Sequence, residues 1–384
     1  MKKLLFINGH MNCGGVEKAL LNVLGHIDYN EYEVDLLLLE EIGDYREEIP
    51  KQVNVRLMSL QNTYGAWWKC LASCAVRRDW FSFGMRVVFL ACRLFGQTKM
   101  KLAKKILDLP HYDTVVAFRS GICTQIAAYA IDGEKKLTWW HHGEIVIDKK
   151  EYEESAKEFD RIVVVTESCM RMLKEAFPAI RDKMIVVPNM LDPVEIERMS
   201  CADEAPQGLK TAGETFQITT VCRLSPEKHV ENVISSAAQL KQQGIQFCWT
   251  IVGDGQVRHE LEEEAAKQSL GDVIVFAGIL KNPYPLLKKS NIYVHPSYVE
   301  SQGISVLEAL SLHIPCVVTE SLGPKEYLVN EENALLVERG SKALTNAILR
   351  LYYDNNLYHT IQRNSYCPEE FLPENVMRII VKIL

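Results

Sequence analysis

Short runs of almost unbroken apolar residues recur along the chain, each followed by a stretch whose apolar residues repeat at helical spacing. Lys3 to Asn8 is the first run. It ends in GHMNCGG, and VEKALLNVLGHI then carries apolar positions three and four apart. Continuous apolar runs bounded by glycine suit strands buried on both faces, as in parallel sheets. Strand, glycine loop and helix open a βαβ unit. YEVDLLLLE, VNVRLMSL, YDTVVAFRS, KKLTWWHHGE, DRIVVVTES and KMIVVPNML extend the series to about residue 190. The pattern predicts an α/β fold with a doubly wound sheet.

Residues 191–214 break the pattern with small and polar residues, and read as a linker with a short helix. A second series follows, with strands expected in FQITTVCRLS, QFCWTIVGDG, VIVFAGIL, NIYVHPSY, PCVVTE and ALLVE. Helices are expected at 230–243, 256–269, 283–290, 303–313 and 341–353. Two Rossmann-like domains result, 1–190 and 191–365, with a shared cleft as the default ligand site.

Composition limits the function classes. The 384 residues exceed what one compact core usually holds, which agrees with two domains. A net charge of −7 argues against a nucleic-acid partner. The eleven cysteines show neither CxxC pairs nor metal-ligand spacing, and read as reduced thiols. The apolar start of MKKLLFINGH is too short for a secretory leader, and no stretch reaches the ~18–20 apolar residues of a membrane span. A cytoplasmic protein is expected.

The chemistry-bearing residues cluster where strands end. In ESQGISVLE, Glu300 and Glu308 flank a glycine at the turn from a strand into a helix. A helix start offers unpaired N–H groups and a favourable dipole to an anion, and Gly303 allows close backbone approach. Glu308 could accept two hydrogen bonds from a ribose diol, with Glu300 on the far side of a phosphate. The same spacing also fits a solvated loop acid and an exposed helix residue. In CRLSPEKH, Arg223 and Lys228 follow a strand and could neutralise a diphosphate without a metal, since no DxD pair or His/Asp/Glu cluster has metal spacing. They could equally be surface cations flanking a helix. Gly14 and Gly15 in the first βα turn suit either a phosphate-facing loop or a tight turn, and lack the dinucleotide and Walker signatures. In WWHHGE, one of His141 and His142 could bond a sugar hydroxyl or a developing charge.

Taken in order, GGVEKALLNVL, WWHHGE, VVPNMLD, VCRLSPEKH, IVGDGQVRHELEE, the long segment FAGILKNPYPLLKKSNIYVHPSYVESQGISVLEALSLHIPCVVTESLGPKEYLV and NALLVE resemble glycosyltransferase family four. The resemblance spans nearly the whole chain and is most specific from 215 to 340, where the E-x7-E signature falls on Glu300 and Glu308. Bacterial capsule, exopolysaccharide and lipid-linked oligosaccharide transferases look most similar. The resemblance implies the GT-B fold, with two Rossmann-like domains facing a central cleft. It implies retaining, metal-independent transfer from a nucleotide sugar, UDP-linked by preference, with no cofactor. Arg223 and Lys228 then bind the donor diphosphate together with Gly15, Gly303 and Ile304. Glu308 holds the ribose, Glu300 the donor sugar, and His142 lies near the anomeric centre. The base lies against the segment Ile279, Leu280, Tyr284 and Leu287. A helix at 366–384 returns to the first domain. Three positions depart from the family texture: Cys222 before the arginine, His229 after the lysine, and Gln302-Gly303-Ile304 between the two acids.

Residues 65–107 stand apart in charge, with nine basic residues against one acid and interleaved aromatics including Trp67, Trp68, Trp80, Phe81 and Phe83. Basic amphipathic segments with aromatics suit an anionic membrane surface, here peripherally at the inner face of the plasma membrane and near a polyprenyl-diphosphate-linked or glycan acceptor. An ordinary helical layer over the first sheet is the competing expectation. Two other functions are compatible with the fold: a nucleotide-sugar 2-epimerase, and a non-catalytic nucleotide-sugar-binding subunit partnering a second transferase.

Overall fold

The computed structural model describes residues 1–40, 43–58, 67–202 and 215–384. The chain forms two compact units, one of residues 1–188 with 377–384 and one of residues 189–376. Each is built on a wholly parallel sheet.

In the first unit the strands β1 (Lys2–Asn8), β2 (Tyr32–Leu38), β3 (Asn54–Leu57), β4 (Tyr112–Ala117), β5 (Gly133–Trp140), β6 (Arg161–Val164) and β7 (Met184–Val186) lie in the order β3-β2-β1-β4-β5-β6-β7. Register is direct, for example Phe6 opposite Leu36 on one side and Val116 on the other. Leu4, Leu5, Phe6 and Ile7 are all fully buried, which is why this strand reads as an unbroken apolar run rather than an alternating one. Helices cover both faces. One core gathers Leu5, Ile7, Val115 and Ala117 with Met85, Val88 and Cys92 of the helix Trp80–Phe95. Another gathers Trp140, Ile162 and Val164 with Leu173 and Phe177.

The second unit repeats the scheme with β8 (Phe216–Val221), β9 (Phe247–Val252), β10 (Ile274–Gly278), β11 (Ile292–His295), β12 (Cys316–Thr319) and β13 (Leu335–Val337), ordered β10-β9-β8-β11-β12-β13. Trp249 of β9 is fully buried, and its indole N–H donates to Thr220 Oγ1 at 3.1 Å, so its polar atom is satisfied inside the core. Each fully buried Leu, Ile or Val on these faces contributes about 1.5–3 kcal/mol.

The expected helices are present at Glu231–Gln242, Arg258–Lys267, Tyr284–Lys288, Ile304–Ser311 and Ser341–Tyr353. The short helix expected after residue 190 is present at Pro193–Ser200 and packs Ile196 with Tyr284, Leu287 and Phe371 in the second core, and the rest of that linker, 203–214, lies outside the described residues. One region differs from the sequence reading: the terminal element is a short 3-10 turn followed by a helix at Pro373–Ile383, because Pro368 and Pro373 interrupt one long helix. At its end Thr114 Oγ1 donates to Leu384 O at 2.7 Å. Among the described residues, no helix is long and apolar enough to cross a membrane.

Candidate active site

In each sheet the winding reverses between two neighbouring strands, β1 and β4 in one and β8 and β11 in the other. The loops leaving such a pair run to opposite faces and leave a crevice at the carboxyl ends. In the second unit this place collects most of the residues singled out by sequence.

Leaving β8, the chain makes a 3-10 turn at Pro226–Lys228, with proline at its first position. Leaving β11, it passes Glu300 and enters the helix Ile304–Ser311. Lys228 Nζ lies 2.6 Å from Glu300 Oε1, and both side chains are largely buried. His295 Nε2 meets the same oxygen at 2.8 Å. Burial alone would raise the Glu300 carboxyl pKa, but Lys228 and His295 overturn this and hold it well below the usual carboxylate range. Burial likewise disfavours the Lys228 charge, yet Glu300 outweighs it and the ammonium pKa is raised. The pair is therefore ionised at neutral pH. Arg223, by contrast, is two-thirds exposed, and its nearest acid is Glu227 at 3.6 Å. Its guanidinium stands ready for an exogenous anion.

The loop between the two glutamates is pinned from several sides. Gln302 is fully buried. Its amide accepts from Asn189 N at 2.7 Å and donates to Asn189 O at 2.9 Å. Tyr327 Oη donates to Gln302 O at 2.8 Å, and Gly323 N to Glu300 O at 3.2 Å. Each such bond is worth about 1 kcal/mol net. Gly303 caps the helix in the left-handed region at φ 79°, and a Cβ there would lie 3.1 Å from Pro324 Cγ. Both facts favour glycine, which is itself buried against Pro324 and Tyr327, while Ile304 after it is half-buried. Ile304 begins that helix.

Glu308 lies in the second turn of this helix. Its carboxylate is almost fully buried and accepts from Tyr284 Oη at 3.0 Å. Tyr284 and Leu287 both belong to the core around Leu307 and Leu310, so of the four residues expected against a base only Ile279 and Leu280 present side-chain surface. The turn GDG after β9 is packed on the Arg223 loop: a Cβ at Gly253 would fall 1.9 Å from Cys222 O, and one at Gly255 2.1 Å from Leu224 O.

The departures from the family texture have local causes. His229 adopts φ 51°, a left-handed conformation that favours glycine. Its ring stacks on Tyr298 at 3.7 Å, and Nδ1 lies 2.8 Å from Glu231 Oε1, contacts that offset the strain. The Cys222 thiol is pushed up to about 12 by burial, so it stays protonated and inert.

The first unit carries its own polar group at the β1/β4 edge. Gly15, exposed, begins the helix Gly15–His26. Glu17 in its first turn is buried, and Arg119 Nη1 donates to it at 2.9 Å. Arg119 Nη1 also lies 3.1 Å from His10 Nε2. A Cβ at Gly14 would meet Glu17 Oε2 at 2.6 Å. His141 packs on Phe118 with ring centroids 4.9 Å apart, and its buried Nε2 has no hydrogen-bond partner among the described residues. Burial lowers its pKa to about 3, so the ring is neutral. The His142 ring lies edge-on to Trp140, and the His142 carbonyl accepts from Trp140 Nε1 at 2.7 Å. Among the described residues no group of three or more His, Cys, Asp or Glu could hold a metal.

Sequence reasoning missed His295, Gln302 and Asn189. A polar residue closing the apolar run NIYVH was the available signal for His295; nothing local marks the Gln302–Asn189 clamp, whose partners are 113 residues apart.

Residues 202–367 match the model of glycosyl transferases group 1. This matched stretch lies within the C-terminal half of the chain, and there the chain is similar to that family. Relatives include the putative glycosyltransferase EpsF of Bacillus subtilis, 29% identical over 147 residues, which are 38% of each chain. The UDP-Gal:alpha-D-GlcNAc-diphosphoundecaprenol alpha-1,3-galactosyltransferase of Escherichia coli is 28% identical over 185 residues, 46% of each. An uncharacterised glycosyltransferase of Methanocaldococcus jannaschii is 29% identical over 175 residues, covering 45% of this chain and 43% of the relative. The matched stretch thus spans less than half the length of these curated relatives. Over the whole chain the fold is similar to Anabaena Alr3699/HepE, solved with UDP and glucose, at TM-score 0.74 and 18% identity, covering 100% of this chain and 99% of that one. The GT-B fold is shared with such structures.

Proposed function

We propose that this protein is a retaining, metal-independent glycosyltransferase that moves a hexose or N-acetylhexosamine from a UDP-sugar to a lipid-linked or polysaccharide acceptor in bacterial cell-surface glycan synthesis. The observation that carries the reading is the ionised Lys228–Glu300 pair, with Glu300 three residues before the helix start at Gly303, at the switch point of the second sheet. Arg223, Lys228 and the N–H groups at Gly303 and Ile304 supply fixed positive potential for a departing diphosphate. Glu300 offers a carboxylate oxygen to a sugar hydroxyl. Glu308 reaches a ribose by exchanging its Tyr284 hydrogen bond. In the reaction the bond between the anomeric carbon and the phosphate oxygen breaks. The acceptor oxygen bonds the same carbon on the same face, and its proton passes to the leaving phosphate. The residues position and neutralise rather than form bonds. Relatives and neighbours whose names carry UDP, UDP-Gal and diphosphoundecaprenol support the donor and acceptor classes.

The reading includes docking at an anionic membrane on the cytoplasmic side. In the helix Trp80–Phe95, Trp80, Val87 and Leu94 recur every seven residues on an exposed face, opposite buried Met85, Val88 and Cys92. Phe95 and Leu102 continue the exposed apolar surface, and Arg93, Lys99, Lys101 and Lys105 border it, also exposed.

The test is release of nucleotide from each common UDP- and GDP-sugar, with chelator present, by the wild type and by Glu300→Ala and Lys228→Ala. Release from one donor, insensitive to chelator and lost in both variants, supports the reading; no nucleotide binding at all ends it. Flotation with anionic liposomes at low salt tests the docking, and its absence removes that part alone.

A further inference from the structure

His295 is fully buried at the carboxyl end of β11 and carries two hydrogen bonds that lead in different directions. Nε2 faces Glu300 Oε1 at 2.8 Å. Nδ1 faces Tyr293 Oη at 3.0 Å. Tyr293 Oη is itself 2.9 Å from Ser305 Oγ in the first turn of the helix Ile304–Ser311, and 3.2 Å from Val221 O at the end of β8. One ring thus ties the acid before the loop to the helix after it and to the neighbouring strand.

Both bonds to Glu300 end on Oε1. Oε2 has no partner among the described residues, so it is the oxygen left for a ligand. Lys228 alone does not fix the carboxylate plane, because an ammonium on a flexible stem attracts as a point charge. A second donor in a fixed ring does fix it. The ring is locked by Tyr293, which adjoins β8 through Val221 O.

We propose that His295 is a positioning residue for the transfer step: it orients the Glu300 carboxylate so that Oε2 faces the donor sugar hydroxyl, and it couples that orientation to the phosphate-facing helix start through Tyr293 and Ser305. The inference rests on the proposed glycosyltransferase reading and assigns His295 no proton transfer.

Two substitutions separate positioning from packing. In His295→Gln the side-chain amide nitrogen falls near the Nε2 position and keeps a donor toward Glu300, but loses Tyr293. In His295→Asn the amide nitrogen falls near Nδ1, keeping Tyr293 but not reaching Glu300. Donor turnover, donor KM, UDP affinity by calorimetry and the melting temperature are measured for both, with His295→Ala. The expected result is a fall in kcat on the order of 10²-fold for Ala and Asn, near-normal kcat for Gln, and UDP affinity unchanged within about threefold in all. A split of this kind does not follow melting temperature. Equal kcat in all three variants and wild type, or recovery by Asn rather than Gln, overturns the proposal while leaving the glycosyltransferase reading intact. A wild-type protein that turns over no nucleotide sugar ends that reading, and the role of His295 with it.

Discussion

The two sheet edges where the winding reverses share a topology and differ in electrostatics. Both place a helix start after a central strand, with glycine at the turn and a cation and an acid close by. In the second unit Gly303 has αL geometry, the first turn of the helix carries no acid, and Lys228 is paired with Glu300. In the first unit the chain supplies its own anion: Glu17 sits buried in the first turn, over Gly14, and is neutralised by Arg119. A helix N-terminus already holding a carboxylate has little attraction left for a phosphate. The same fold edge is thus open to an anion in one unit and internally satisfied in the other. In the proposed reading, diphosphate binding therefore falls to Arg223, Lys228 and the Gly303 turn rather than to Gly15.

The largest effect should come from the open edge. Lys228→Ala is expected to lower donor turnover by roughly 10²–10³-fold, because it removes fixed charge at the leaving group and frees Glu300 to swing; steady-state kinetics with saturating acceptor measure it. The closed edge should answer in stability rather than activity. Arg119→Ala leaves buried Glu17 with only His10 Nδ1 beside it, at 3.5 Å, and is expected to cost about 3 kcal/mol in urea unfolding, with UDP affinity unchanged. A large loss of UDP affinity in that variant would break the comparison.

A smaller effect comes from pH. The folded-state pKa of His141 is depressed, so below its unfolded value the unfolded chain takes up a proton that the folded chain refuses, and stability falls with pH. Between pH 7.5 and 5.0 the wild type should lose about 2 kcal/mol more than His141→Gln, measured by urea titration at both pH values. Glu300 adds nothing to this window. Its depressed folded pKa gives a contribution that is complete above the ordinary carboxylate range and is lost only as pH falls through the lower folded value. The smallest effect is expected at His229→Gly, where relief of the positive φ and loss of the Tyr298 stack should nearly cancel, within about 1 kcal/mol in thermal melting.

The fold was legible because buried parallel strands leave a coarse imprint. Runs such as LLFIN and FCWTIV are apolar on both faces, and the glycine turns after them mark the strand ends. Glu300, Lys228 and Gly303 could be singled out because they lie in the loops after β8 and β11, with Gly303 at the helix start. The second unit's boundary was less so, because the packing of Ile196 against Tyr284 and Phe371 is a long-range contact with no local signature.

What the sequence by itself determined is the order of elements, the two sheets, and which residues stand at the carboxyl ends of their strands. These follow from periodicity and turn chemistry, which act over a few residues. Only the tertiary structure decided that Lys228 pairs with Glu300 rather than standing beside Arg223, that Tyr284 faces Glu308 in the core, that His295 shares the Glu300 oxygen, and that Glu17 closes the first helix start. Those pairings join residues from 5 to 102 positions apart. Burial sets their strength, because a charge taken out of water must find its partner wherever the fold brings one.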